Sequence, residues 1–140
     1  MSGRLPGGME TIASVVAKGI GEFQSPASTR LVYGPGTVAQ IGQFTAELGG
    51  KKVLLVTDPG IVKAGHAARV GQSLEAVGID YAVFDDVHEN PTTADVARCV
   101  AAARAASVDF LIGLGGGSSM DTAKGCNFIL TNGGEMKDYW

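Results

Sequence analysis

Three strand-like runs, each followed by a segment with helical spacing, set what this chain can fold into. In Lys52-Val-Leu-Leu-Val-Thr57 four apolar side chains stand in a row with no alternation. That is the pattern of a parallel strand covered on both faces. Ile79–Phe84 and Phe110–Leu114 read as the next two strands. Helical stretches separate and follow them. One runs from about His66 to Val77 and closes at Gly78. A second is lined by Val96, Val100 and Ala103. A third covers Ser118–Leu130 and is broken by Thr131-Asn-Gly-Gly134. Such alternation predicts an α/β fold: a parallel sheet with helices on both faces and right-handed crossovers.

Upstream of this pattern, Thr29-Arg-Leu-Val-Tyr33 alternates as an edge strand would, and Gly34-Pro-Gly36 turns it. Val38, Ile41, Phe44 and Leu48 then recur at helical spacing up to Gly49-Gly50. Residues 1–28 read as a weakly structured lead, in which Thr11–Gly21 has the makings of a short amphipathic helix. The expected domain therefore spans residues 29–140.

Ligands of open parallel sheets sit beyond the carboxyl ends of the strands. Three features are predicted there: Asp58, the segment Asp85–Asn90, and the loop Gly115-Gly-Gly-Ser-Ser-Met120. Glycine has no Cβ, so the loop backbone can approach a ligand closely. The helix that follows offers free N–H groups and the positive end of its dipole, which favour an anion. A phosphate-bearing cofactor fits that combination; the plain alternative is a tightly packed strand–helix turn. The loop departs from the dinucleotide fingerprint GxGxxG, since Gly113 and Gly115 fit but position 118 is Ser. It is no Walker A loop either, because no Gly-Lys-Ser/Thr follows the glycines.

Each other candidate has a bland reading beside the functional one. Asp58 can accept both ribose hydroxyls of a nucleotide, or simply hydrogen-bond its own turn before Pro59-Gly60. Asp121 suits a helix N-terminus with no function at all, and Lys124 lies within intrahelical pairing distance of it. Thr92 can cap the second helix, with Asp95 three residues on. The two histidines, His66 and His88, share no metal-ligand spacing.

Composition narrows the class. The 140 residues are 45% hydrophobic, too apolar for a disordered chain. Eleven basic residues against 14 acidic ones give −3, with no basic stripe, which argues against a nucleic-acid partner. No apolar stretch approaches the ~20 residues a membrane helix needs, and residues 1–28 carry no export-signal core. Cys99 and Cys126 fall in predicted helices outside any CxxC pair and read as reduced core residues of a cytoplasmic protein.

Four motifs in order then suggest a family. Gly115-Gly-Gly-Ser-Ser-Met-Asp-Thr-Ala-Lys124 resembles the GGGSxxDxAK signature of iron-containing (group III) alcohol dehydrogenases. Tyr33-Gly-Pro-Gly36, Val56-Thr-Asp-Pro-Gly60 and Asn90-Pro-Thr92 resemble that family's FGxG, VTD and NPT segments. The resemblance covers residues 29–140 and implies the Rossmann-like N-terminal domain of a two-domain, NAD(P)-dependent alcohol dehydrogenase or aldehyde reductase. It implies that Asp58 holds the adenosine ribose and favours NAD over NADP. It places the pyrophosphate on Gly116, Gly117 and Ser118, with Ser119 and Met120 beside them, and Asn90 and Asp121 toward the nicotinamide. The implied metal, Fe²⁺ or Zn²⁺, belongs to a helical C-terminal domain whose Asp and three His ligands have no counterpart here. On this reading the chain is a truncated part, holds no catalytic or metal residue of its own and is inactive alone. The implied partners are a nicotinamide dinucleotide and a small alcohol or aldehyde, and a homo-oligomer is compatible with it. The alternatives are an inert nucleotide-binding fragment, or a relative of glycerol dehydrogenase or dehydroquinate synthase.

Overall fold

A computed structural model describes residues 29–139 of the chain. The expected lead at 1–28, with its amphipathic stretch, lies outside the described residues. The chain divides into two compact units at Thr37/Val38. In the described part of the first, residues 29–33 have no regular structure, so the expected edge strand is not formed. Alternation marks two faces but does not supply the hydrogen-bonding neighbour that a strand requires. The Gly34–Gly36 turn is present, with the Thr37 hydroxyl donating to the Gly34 carbonyl at 3.0 Å.

The second unit is the α/β body. After a 3₁₀ turn at Thr37–Gln40, its elements are α1 (Ile41–Glu47), β1 (Lys52–Val56), α2 (Pro59–Lys63) and α3 (His66–Glu75). Then come β2 (Asp80–Phe84), α4 (Thr93–Ala106), β3 (Phe110–Gly113), α5 (Gly117–Asn132) and a 3₁₀ turn at Met136–Tyr139. The three strands pair in parallel in the order β2-β1-β3. Central β1 is buried from Val53 to Val56, as its unbroken apolar run requires.

Helices cover both faces, as expected. Leu54 and Val56 point into a core with Phe84, Val96, Cys99, Val100, Ala103, Cys126 and Ile129, which joins the sheet to α4 and α5. Val53 and Leu55 point the other way, into a core with Ala67, Val70, Leu74 and Ile112 beneath α3. The buried positions of α3, Ala67, Val70, Gly71 and Leu74, recur every three to four residues. Burying one Val or Leu side chain contributes about 1.5–3 kcal/mol, so the β1 run is the densest source of stability in the sheet.

Three boundaries differ from expectation for local reasons. Asp58-Pro-Gly60 is the start of α2 rather than a plain turn. Asp58 caps it by accepting the Ile61 N–H at 3.0 Å, and Pro59 opens the helix where its missing N–H is no loss. α5 runs to Asn132 and ends where Gly133 adopts φ +75°. α1 is shorter than its hydrophobic spacing suggested, because the chain is wound as 3₁₀ up to Gln40.

Candidate nucleotide site at the strand exits

Register fixes where the three exits lie. Val56, the last residue of β1, aligns with Phe84 of β2 and with Gly113 of β3. The chain therefore leaves all three strands at one rim, and it is there that Asp58, the 85–92 connection and the glycine loop begin. Thr57 ties them together. Its N–H donates to the Phe84 carbonyl at 2.8 Å, its hydroxyl to the Leu114 carbonyl at 2.8 Å, and its carbonyl accepts the Val87 N–H at 3.3 Å. Thr57 is completely buried. In the sequence Thr57 is only the last letter of a strand, because its partners are set by register.

Asp58 and the glycine loop meet. A Cβ built on Gly115 would lie 2.9 Å from the Ser119 Oγ and 3.3 Å from the Asp58 Oδ2. Gly115 has φ +135°, so glycine is needed both for its conformation and for this approach. Asp58 is half-buried and splits its oxygens: Oδ1 caps α2, and no hydrogen bond within the described chain occupies Oδ2. The cap and the open acceptor coexist, so both sequence readings of Asp58 are compatible with its geometry.

The start of α5 differs from those of α2 and α4. α4 begins with a full capping box, in which Thr92 and Asp95 bond each other's backbone N–H groups. α5 begins at Gly116 with no side-chain cap. Its first N–H groups are the unpaired donors that every helix leaves at this end. Cβ atoms built on Gly116 or Gly117 would meet nothing within 4 Å, so the backbone here faces open space. Ser118 is half-buried and Met120 is exposed, while the Ser119 Oγ is buried with no hydrogen-bond partner among the described residues. Open backbone donors, a hydroxyl awaiting a partner and a dipole's positive end together fit a phosphate group.

The other two candidates share a groove. Asn90, Pro91, Thr92 and Thr93 form one side and Asp121, Gly125 and Met136 another, enclosing about 460 Å³. That is within the size range of small-molecule sites. Asn90 and Asp121 are exposed. Asp121 has no ion-pair partner among the described residues, so the pairing with Lys124 that their spacing allows is not made.

One cluster in this region was legible in the sequence only as a cap. Asp95 is buried, and its Oδ2 accepts the Thr92 N–H at 2.6 Å and the Thr92 hydroxyl at 2.7 Å. Its Oδ1 meets the His88 Nδ1 at 3.0 Å and an Arg98 Nη at 2.5 Å. Arg98 also donates through Nε to Asp86 at 2.8 Å. The Thr92 backbone bond first, then His88 and the Thr92 hydroxyl, hold the Asp95 carboxyl well below the usual carboxylate range.

Comparison with known proteins decides the family. The family model for iron-containing alcohol dehydrogenase matches residues 28–140. This chain belongs to the iron-containing alcohol dehydrogenase family. Among curated relatives it is 35% identical over 117 residues to an NAD-dependent methanol dehydrogenase of Bacillus methanolicus, covering 84% of this chain and 30% of that protein. Among solved structures it is similar to the NADH-dependent butanol dehydrogenase A of Thermotoga maritima. That match has a TM-score of 0.75 and 33% identity, over 83% of this chain and 29% of that one. It is also similar to the sulfoacetaldehyde reductase of Bifidobacterium kashiwanohense in complex with NAD⁺. There the TM-score is 0.70 and the identity 28%, over 76% and 28% of the two chains. The chain thus spans about three tenths of the length of the relatives it matches. Those structures carry the Rossmann-like α/β fold that the strand pattern predicts.

Among the described residues no helix is long and apolar enough to cross a membrane. No three or more His, Cys, Asp or Glu side chains among them are grouped to hold a metal ion.

Proposed function

We propose that this chain is the NAD-holding part of an alcohol dehydrogenase or aldehyde reductase. The observation that carries the reading is the uncapped, glycine-lined start of α5, with the orphaned Ser119 hydroxyl beneath it and Asp58 at its side. The backbone N–H groups at Gly116, Gly117 and Ser118 would hold the pyrophosphate. Ser119 would add its hydroxyl, and Met120 would flank the group. The free oxygen of Asp58 would accept a ribose hydroxyl and repel a 2′-phosphate, so NAD is favoured over NADP. The groove bounded by Asn90 and Asp121 would receive the nicotinamide half.

When bound, the nicotinamide ring supplies hydride exchange with the alcohol carbon, and the protein's part is to orient it. The metal that the family resemblance implies finds no ligand group among the described residues. The role proposed for this chain is cofactor binding, carried by the loop and Asp58 geometry. Alcohol oxidation belongs to the whole enzyme.

Calorimetric titration with NAD⁺ and ADP-ribose tests the reading, with Gly116→Asp as the comparison. Both ligands should bind the wild-type chain. The added carboxylate, at the open backbone where phosphate is expected, should abolish binding while the melting curve changes little. A folded wild-type chain that binds neither ligand would overturn the proposal.

A further inference from the structure

The Asp95 cluster extends beyond a helix cap. A capping box needs only Thr92 and Asp95. Here the same carboxylate also holds His88, and through Arg98 it is joined to Asp86. The His88 ring lies between the two acids, 3.0 Å from Asp95 and 3.5 Å from Asp86. Residues 88 and 92 of one connection thus bond directly to a single buried carboxylate on α4, and Asp86 is tied to it through Arg98 and His88. At the near end, Val87 is buried in the core and its N–H is bonded to Thr57. Only residues 88–91 remain between the two anchors, and Pro91 fixes one of their torsions.

Asn90 sits inside that span with φ +52°. Asparagine tolerates the left-handed region better than most residues, yet the conformation still costs energy and persists only where the surroundings hold it. Its carboxamide has no hydrogen-bond partner among the described residues, and Asn90 lines the same groove as Asp121. A strained backbone, anchored on both sides and presenting an unused amide to a groove, is the geometry of a prepared binding group.

We infer that Asp95, acting through Thr92, His88 and Arg98, is a positioning residue that sets Asn90 toward the nicotinamide half of the dinucleotide. The inference rests on the dinucleotide reading above. The carboxylate stays ionised well below neutral pH, so it anchors the connection without exchanging protons. It touches neither the ribose side at Asp58 nor the phosphate cradle at α5, and its effect is confined to one end of the ligand.

That confinement makes the test specific. NAD⁺ and ADP-ribose share everything except the nicotinamide nucleoside's base. Their affinities would be measured for the wild-type chain, Asp95→Ala, His88→Ala and Asn90→Ala. Asp95→Ala should weaken NAD⁺ about tenfold, or about 1.4 kcal/mol, and leave ADP-ribose within about twofold. His88→Ala keeps the capping box and the Arg98–Asp86 tie and removes only the imidazole link between Asp95 and the connection, so it should weaken NAD⁺ about threefold with the fold intact. Combining Asp95→Ala with Asn90→Ala should cost no more than Asn90→Ala alone, because one acts through the other. Equal loss of both ligands in Asp95→Ala would mark a merely structural role and overturn the inference. Additive losses in the double variant, or unchanged NAD⁺ affinity in both Asp95→Ala and His88→Ala, would overturn it too. A wild-type chain that binds neither ligand removes the dinucleotide reading itself, and this inference with it. Binding of ADP-ribose without any Asp95 effect removes the inference alone.

Discussion

Gly115 and Gly116 are neighbours in the same loop, and the structure predicts opposite consequences for the same methyl group. At Gly115 the backbone is at φ +135°, and the added Cβ would sit 2.9 Å from the Ser119 Oγ and 3.3 Å from the Asp58 Oδ2. Holding a non-glycine residue in such a conformation costs about 1–3 kcal/mol, before the crowding of two polar groups is counted. For a domain of this size that is a fall in melting temperature of roughly 4–12 °C. At Gly116 φ is −86°, open to alanine, and the Cβ meets nothing within 4 Å. Alanine there lacks glycine's slight advantage at a helix N-cap, so stability should fall by less than about 1 kcal/mol. The backbone N–H is kept, but the methyl would occupy the open space through which a bound phosphate reaches that donor, lengthening or breaking the bond. Losing one hydrogen bond to a charged group costs about 1.5–3 kcal/mol, or roughly 10- to 150-fold in affinity. Thermal melts by circular dichroism and titration with ADP-ribose, run on both variants, separate the two effects. Gly115→Ala melting like wild type would show that the loop does not need its left-handed glycine. Gly116→Ala binding like wild type would show that the open backbone is not the phosphate cradle.

Three further outcomes follow from other parts of the fold. Gly71→Ala should destabilise the chain by about 1–3 kcal/mol, read from the denaturant midpoint, because its Cβ would lie 2.2 Å from the Tyr81 hydroxyl oxygen; an unchanged midpoint would contradict the α3–β2 packing. The Asp109 carboxylate accepts the N–H groups of Lys52 and Lys51, which hold its pKa below the ordinary value. A depressed folded-state pKa contributes stability that is present above the unfolded value and lost as pH falls through the folded one. The stability advantage of wild type over Asp109→Asn should therefore shrink as pH drops below about 4, and an advantage constant with pH would refute it. Cys99 and Cys126 are both completely buried, and the Cys99 thiol is pushed up by its hydrogen bond with Cys126 and then by burial. A thiol reagent should modify neither in the native chain and both in denaturant; rapid native labelling would contradict the α4–α5 packing.

The parts of this fold that were readable in advance are those that local pattern dictates. The unbroken run at Val53–Val56 demanded a strand covered on both faces, and the spacing of Val96, Val100 and Ala103 demanded a helix face. The glycine run announced both a close approach and a helix start. What stayed hidden depends on register or on distant partners. Nothing local distinguishes Thr57 from any strand-terminal threonine until Phe84, Val87 and Leu114 are aligned beside it. The bonds from Asp95 to His88 and Arg98 require the 85–92 connection to fold back on α4, which no periodicity encodes. The expected strand at 29–33 failed because alternation is necessary for a half-buried strand but not sufficient. α2 was missed although Asp58 and Pro59 are strong helix-start residues, because the five-residue helix is too short to show a repeat.

The missing cap on α5 has a consequence for how the empty chain behaves. A helix that starts on bare glycine has its least stable turn at the point where the ligand is expected. An anion arriving there completes the end of the helix as well as filling a site. The free energy of winding that turn and the free energy of holding the anion are then one quantity. Any multivalent oxyanion in the buffer would draw on it, so the apparent melting temperature of the empty chain should depend on the salt chosen as well as on its concentration.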